Sequence, residues 1–310
     1  MVVAATGFFD GVHIGHGAVL STLCRCAKEA GTEPVVITFW PHPRAVLQHD
    51  APKFRLLNSL DEKKELMLDN GVTKVHVLSF TQEFSLMNAK DFFSDCLQSQ
   101  YGVTHLVVGY DHKVGHDAAR LDVAAKETGI RIIRVGEALC DGKVVSSTKI
   151  REAIHTGDME QANRWLGYPY ALSGVVVEGN KLGRTIGFPT ANMLLYEPLK
   201  QLPADGVYGV EVEQMGKRYC GMMNIGFRPT VATCQERTIE THIFDFDFDI
   251  YGLPIVVYPL FRVRGEQIFG SMEALRHQLS KDKEKCVSWS MRSFSITDYC
   301  PDISTYRKEN

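Results

Sequence analysis

The sequence predicts an α/β domain on a parallel sheet, followed by a mainly antiparallel β-barrel that ends in a helix. Three observations carry this. Up to about residue 165, short apolar runs alternate with helical stretches, the pattern of a parallel sheet covered on both faces. Beyond Gly167-Tyr168-Pro169-Tyr170 the runs become strand-like, with Gly and Pro between them, as in a closed antiparallel barrel. A length of 310 residues gives room for about two domains. The boundary is expected near residues 165–170, dividing the chain into 1–166 and 167–310.

In the first part, strands are expected at 2–6, 35–39, 75–78, 105–109 and 130–135, each a short run rich in apolar residues. Helices are expected at 18–29, 59–69, 89–101 and 120–128, with two short ones at 148–156 and 158–166. The helix at 59–69 carries Asp61, Glu62 and Glu65 in its first turns, where the dipole favours acids. In the second part, strands are expected at 174–178, 206–213, 217–223, 239–248 and 254–263, and a final helix from 271 to about 291. Along 239–248, alternation puts Phe244, Phe246 and Phe248 inward and Asp245, Asp247 and Asp249 toward solvent.

Hydrophobic residues make up 45% and charged residues 23% of the chain, so a soluble globular protein is expected. A net charge of −3 supplies no basic field for nucleic acid. No apolar run is long enough for a bilayer, and Met1 leads into a strand with no basic leader or cleavage signal. The abrupt opening reads as a start that lacks a leading strand. The 8 cysteines show no pairing rhythm, and Cys24 and Cys26 are too close for a Cys-x-x-Cys motif. A reduced, cytoplasmic protein with free thiols is expected.

The chemistry begins at the first strand end. Gly7-Phe8-Phe9-Asp10-Gly11-Val12 leads into His13-Ile14-Gly15-His16 and then a helix. A strand, a glycine-bearing turn and a helix start bring free backbone N–H groups and the positive end of the helix dipole to one point, which suits an anion. His13 and His16 add donors, and Gly15 is expected to leave room for a phosphate. The turn lacks the Lys and Ser/Thr of a Walker A loop, so it suggests a nucleoside triphosphate that reacts at its α-phosphate. A metal pair is the alternative, although no Glu or Cys sits close by in sequence.

Other strand and helix ends repeat the theme. Ser146-Ser147-Thr148-Lys149-Ile150-Arg151 puts hydroxyls and cations at a helix start, either to grip phosphates or as a plain N-cap. Trp40-Pro41-His42-Pro43-Arg44 is a rigid turn presenting His42 and Arg44, and Gly109-Tyr110-Asp111-His112 is a polar loop at another strand end. In the second part, Gly183-Arg184-Thr185-Ile186-Gly187-Phe188-Pro189-Thr190-Ala191-Asn192 reads as a glycine-rich basic loop, and Thr190 is a candidate Mg²⁺ ligand. Glu240 is either a general base facing a cleft or an outward strand charge.

Together with Gly206-Val207-Tyr208, Asn224-Ile225-Gly226-Phe227-Arg228-Pro229-Thr230, Glu240-Thr241-His242 and Asp249-Ile250-Tyr251-Gly252, these motifs resemble the prokaryotic bifunctional riboflavin kinase/FMN adenylyltransferase (FAD synthetase) family over essentially the whole chain. The family often has Asn where Phe8 or Phe9 stands, an aromatic at the place of Val114, and a basic residue after the place of His116.

The resemblance implies a Rossmann-like, nucleotidylyltransferase-type fold for the first domain and riboflavin kinase for the barrel. Riboflavin, FMN and ATP are the implied substrates and Mg²⁺ the implied cofactor, with no nucleic acid or membrane partner and a monomer or weak oligomer. It implies that Glu240 is the kinase base, that Thr190 and Asn192 hold Mg²⁺, and that Gly183, Arg184, Gly187 and Pro189 cover the nucleotide. For adenylyl transfer it implies His13 and His16 as the catalytic pair, with Gly7, Phe9, Asp10, Gly15, Ser146, Ser147, Thr148 and Arg151 around ATP. His42, Pro43, Tyr110, Asp111 and Arg264 are the implied flavin-substrate contacts. Transfer to a different acceptor, or a flavin-binding protein without catalysis, are the competing functions. The Pro-Thr-Ala-Asn run with Glu240 argues against the first, and both histidines with Glu240 against the second.

Overall fold

The computed structural model describes residues 1–47, 54–110, 121–227 and 237–290. Contacts divide the chain into two compact units, one through Ser147 and one from Thr148. No described helix is long and apolar enough to cross a membrane.

The first unit contains β1 (Val2–Thr6), α1 (Ile14–Glu29), β2 (Pro34–Trp40), α2 (Pro43–Leu47), α3 (Leu60–Asp69) and β3 (Lys74–Ser79). Then come α4 (Gln82–Ser85), α5 (Ala89–Asp91), β4 (Val103–Gly109), α6 (Leu121–Thr128), β5 (Arg131–Val135) and a small hairpin of β6 (Leu139–Cys140) and β7 (Lys143–Val144). The main sheet is parallel, in the order β3-β2-β1-β4-β5. The order reverses at β1, so the crevice beyond its carboxyl end is where such sheets take ligands. Alternation along the strands builds two cores. Val3, Ala5, Val36 and Val107 pack with α1 and Met67 of α3 on one face. Ala4, Ile37, Phe39, Leu106 and Val108 pack with Phe92, Phe93 and Leu97 on the other.

Two elements differ from expectation. Helix α1 begins at Ile14, so Gly15 and His16 lie in its first turn; His13 is the N-cap, and its carbonyl accepts the Gly17 N–H at 2.9 Å. The two glycines are poor helix formers and hide this start in the sequence. The helix expected over 89–101 is α-helical only at α5 and continues as a π-helix over Phe92–Gln100. Phe92 and Leu97, five residues apart, are both buried, which suits the i→i+5 winding.

The second unit begins with α7 (Ser147–Thr156), whose first residue belongs to the first unit, and α8 (Met159–Leu166). It continues with β8 (Leu172–Val177), α9 (Leu182–Thr185), β9 (Ala191–Leu195), β10 (Gly206–Gln214), β11 (Lys217–Phe227), β12 (Arg237–Ile243), β13 (Pro254–Arg264) and α10 (Met272–Ser290). Six strands close an antiparallel barrel in the order β10-β11-β12-β9-β8-β13. Strand β9 falls in a stretch that reads as loop; Ala-Asn-Met-Leu-Leu has no β-branched residue, and pairing on both sides makes it a strand.

The strand expected over 239–248 stops at Ile243. Asp245 turns the chain at φ 53, Phe244 is buried, and Phe248 is 61% exposed, so the aromatic alternation is not an inward face. Helix α10 is fastened to β13 by Arg264 Nε–Asp282 Oδ2 at 2.8 Å, with Asp282 fully buried, and by Trp289 stacked on Phe261.

Helix α8 is tied to the barrel through Asn163, which is fully buried. Its Nδ2 donates to the Pro259 carbonyl at 3.0 Å, and its Oδ1 accepts the Tyr170 N–H at 2.8 Å. Asn163→Ala removes both of these buried hydrogen bonds, a loss of about 2–4 kcal/mol. Urea titration of the variant should show the second unit melting earlier while the midpoint of the first is unchanged.

Candidate active sites

In the first unit, the loop after β1 is wound tightly. Phe9 and Val12 are in the left-handed region at φ 50 and 32, with Gly11 at φ 86 between them. The side chains of Phe9 and Val12 are buried in the core, so the Phe9 backbone is what remains for a ligand. Phe8 packs on Phe39, Phe80 and His42. Asp10 is buried; its carboxylate accepts the Leu57 N–H at 3.2 Å, and its carbonyl accepts the Ser147 hydroxyl at 2.8 Å.

His13 and His16 lie with rings stacked 3.8 Å apart, and Phe9 meets His16 edge-on. The His16 Nδ1 is buried with no hydrogen-bond partner among the described residues. Burial, then His13, then Lys63 hold the His16 imidazole well below its ordinary pKa of 6.5, so it is neutral at rest. A Cβ at Gly15 would meet the His13 ring at 3.1 Å. Gly15 therefore leaves room for the His13 imidazole. Across the strand ends, His42 Nδ1 accepts the Arg44 N–H at 3.1 Å and its ring packs on Phe54. Pro43 opens α2, Gly7 donates to the Ile37 carbonyl, and Tyr110 is exposed. Asp111 lies outside the described residues. Ser146 and Ser147 end the first unit; Thr148 and Arg151 are in the first turns of α7, in the second.

In the second unit, a cavity of 510 Å³ is lined by Arg184, Pro189, Thr190, Thr241, Phe246 and Tyr251, among others. Asp247 and Asp249, expected on the solvent face of a strand, line it too. Gly183 and Arg184 lie on α9, and a Cβ at Gly183 would fall 2.1 Å from the Phe188 carbonyl oxygen, so only glycine fits there. Gly187 adopts φ 84. Arg184 Nη2 donates to the Tyr251 hydroxyl at 3.2 Å. Thr190 Oγ1 donates to Glu240 Oε2 at 3.3 Å, and Asn192 on β9 is the register partner of Glu240 on β12. Two neutral oxygens and a carboxylate thus meet on one side of the sheet. His242 Nδ1 lies 2.7 Å from the Pro189 carbonyl, and burial pushes its pKa down. Arg264 is engaged by Asp282 and by the Gly265 carbonyl.

Residues 1–149 match the family model described as FAD synthetase, and residues 166–290 the one described as Riboflavin kinase. A bifunctional riboflavin kinase/FMN adenylyltransferase of Listeria monocytogenes is 38% identical over 91% of this chain and 90% of its own. The Bacillus subtilis protein of the same description is 35% identical over 93% and 92%. The chain belongs to this family. The Escherichia coli member is 37% identical over 91% of this chain and 90% of its own. A crystal structure described as a macrolide-efflux protein from Streptococcus pneumoniae superposes with a TM-score of 0.86 at 33% identity, covering 94% of each chain.

One buried residue in this family member escaped the sequence reading. Lys63 sits in the run Asp61-Glu62-Lys63-Lys64-Glu65, which looks like a solvated helix face, yet it is 4% exposed. Its spacing of four from buried Met67 was the signal, since it puts Lys63 on the apolar stripe of α3.

The depressed pKa of His16 makes the first unit acid-sensitive. Below pH 6.5 the unfolded chain binds a proton at this site that the folded chain refuses. This contribution is complete above the unfolded value and is lost as pH falls toward the folded one, by at most about 1.4 kcal/mol per pH unit. Thermal melts of the first unit should show this acid slope, and His16→Gln should flatten it. A slope the substitution leaves unchanged would mean that the folded site accepts the proton.

Proposed function

We propose that the chain makes FAD from riboflavin in two steps, using ATP in both. The C-terminal unit transfers the γ-phosphoryl group of ATP to the terminal ribityl hydroxyl of riboflavin, giving FMN. The N-terminal unit joins FMN to the adenylyl group of ATP and releases pyrophosphate. The observation that carries this reading is the pair of separate phosphate-type sites, the stacked histidines at the start of α1 and the Thr190–Glu240 contact beside Asn192. We assign adenylyl transfer to residues 1–166 and the kinase to 167–310. A cytoplasmic enzyme, monomeric or weakly associated, fits this role.

In the kinase step, Glu240 takes the proton of the attacking hydroxyl. Thr190 and Asn192 are the residues that would hold Mg²⁺, because hydroxyl and amide oxygens beside a carboxylate are the hard donors this ion prefers. Mg²⁺, when bound, neutralises phosphate charge as bonds to phosphorus change. Gly183, Gly187 and Pro189 shape the cover over the nucleotide, and Arg184 lends it charge.

In the adenylyl step, the phosphate of FMN is already an anion, so no protein base is required. His13 and His16 donate to the oxygens on which charge grows, and the free N–H groups at the start of α1 add to them. Gly7, Phe9 and Asp10 contribute through the loop backbone. Ser146, Ser147, Thr148 and Arg151 hold the leaving pyrophosphate. His42, Pro43, Tyr110 and Asp111 flank the flavin in this unit, and Arg264 supports riboflavin in the other through α10.

Purified protein supplied with riboflavin, ATP and Mg²⁺ should accumulate both FMN and FAD on chromatography. His16→Ala should slow FAD formation about 100-fold or more while FMN formation continues. Survival of FAD synthesis within a few-fold would remove that histidine from the mechanism. Glu240→Gln should slow riboflavin phosphorylation about 100-fold or more, while added FMN is still converted to FAD.

A further inference from the structure

The buried lysine of the first unit is not accounted for by the two reactions as derived. Lys63 Nζ donates to the Phe8 carbonyl at 3.1 Å, the Thr38 hydroxyl at 3.1 Å and the Phe39 carbonyl at 3.4 Å. The Thr38 hydroxyl in turn donates to the Phe8 carbonyl at 3.4 Å. All three lysine donors are therefore used, and all go to neutral oxygens.

We propose that Lys63 is a positioning residue for adenylyl transfer: its buried ammonium locks the loop after β1 to the end of β2, and its charge strengthens the field that receives the triphosphate. This rests on the assignment of adenylyl transfer to the first unit.

Its place between two turns and its charge set Lys63 apart from a merely structural residue. Phe8 precedes the strained Phe9–Val12 turn, and Phe39 precedes the Trp40-Pro41-His42 turn. Lys63 thus holds the anion loop and the His42 turn at one atom. Bridging oxygens does not need a charge, and a buried ammonium held by neutral oxygens is costly. A fixed cation near the histidine pair repays that cost when a polyanion arrives. The charged and titratable groups that face it are Asp10 on the loop after β1 and His16 on α1; β2 faces it with the Thr38 hydroxyl, the Phe39 carbonyl and the Trp40 ring at 5.6 Å. Burial pulls the ammonium down to about 8, with Asp10 opposing, so the cation is present at neutral pH and is lost in mild alkali.

The test measures kcat/KM for ATP with FMN as acceptor across pH, since that ratio reports groups in the free enzyme. Riboflavin phosphorylation by the same full-length protein is the internal control. Wild type should lose adenylyl transfer along a limb with an apparent pKa of about 8, absent from the kinase profile. Lys63→Met should be about tenfold or more slower at neutral pH, with no such limb and unchanged kinase activity. Lys63→Arg keeps its charge through this range, so it should recover part of the lost rate and also lack the limb. FAD formation by wild type that is flat through pH 8, or the same limb in all three proteins, would overturn the proposal. Should Lys63→Met lose the thermal transition of the first unit, the wild-type and Lys63→Arg profiles decide. A wild type that forms FMN but no FAD would instead overturn the adenylyltransferase reading on which the proposal stands.

Discussion

A loop that carries two non-glycine residues in the left-handed region does not hold that shape unaided, so the shape must be imposed from outside. The first unit is organised around this constraint. Phe9 and Val12 sit in a backbone region that costs of order 1–3 kcal/mol for each non-glycine residue. They stay there because their side chains are committed to the core. Asp10 is held from two directions, by the Leu57 N–H and the Ser147 hydroxyl. Lys63 holds Phe8 from beneath. The central place of β1 in the sheet gives the loop neighbours on both sides, and the start of α1 supplies the dipole. In this family member the packing of Phe8 on Phe39, Phe80 and His42 and of Phe9 in the core adds to that restraint.

The barrel solves a similar problem by register instead of strain. Glu240 and Asn192 are opposed because β12 and β9 pair antiparallel at those residues. Thr190 reaches the same carboxylate from just ahead of β9. Shifting either strand by one residue would turn one of these groups to the other face. The apolar side chains on the opposite face, Ile239 and Met193, resist that slip because they are buried. The juxtaposition of Thr190, Asn192 and Glu240 is thus inherited from the barrel's core.

Much of this was legible in the chain itself. The succession of strand, turn and helix around His13 and His16 follows from residue types, though not the helix's first turn, and alternation of strands with helices announced the parallel sheet. What escaped has physical causes. Strand β9 lacks β-branched residues and is a strand only because two neighbours pair with it. The alternation of Phe with Asp over 244–249 imitates a strand, but the chain turns at Asp245 and Phe248 faces solvent. Lys63 hides among charged neighbours, and only the three-dimensional approach of two carbonyls and a hydroxyl reveals what its ammonium holds. The roles of Gly15 and Phe9 likewise depend on contacts that no local pattern encodes.

The attachment of α10 has one more consequence. Asp282 is fully buried and the Arg264 side chain is only 16% exposed, whereas pairs such as Arg25–Glu29 keep more than half of each side chain in water. Mobile ions screen the second kind and scarcely reach the first. Rising ionic strength therefore weakens the exposed pairs first and leaves the attachment of the last helix to its barrel comparatively untouched.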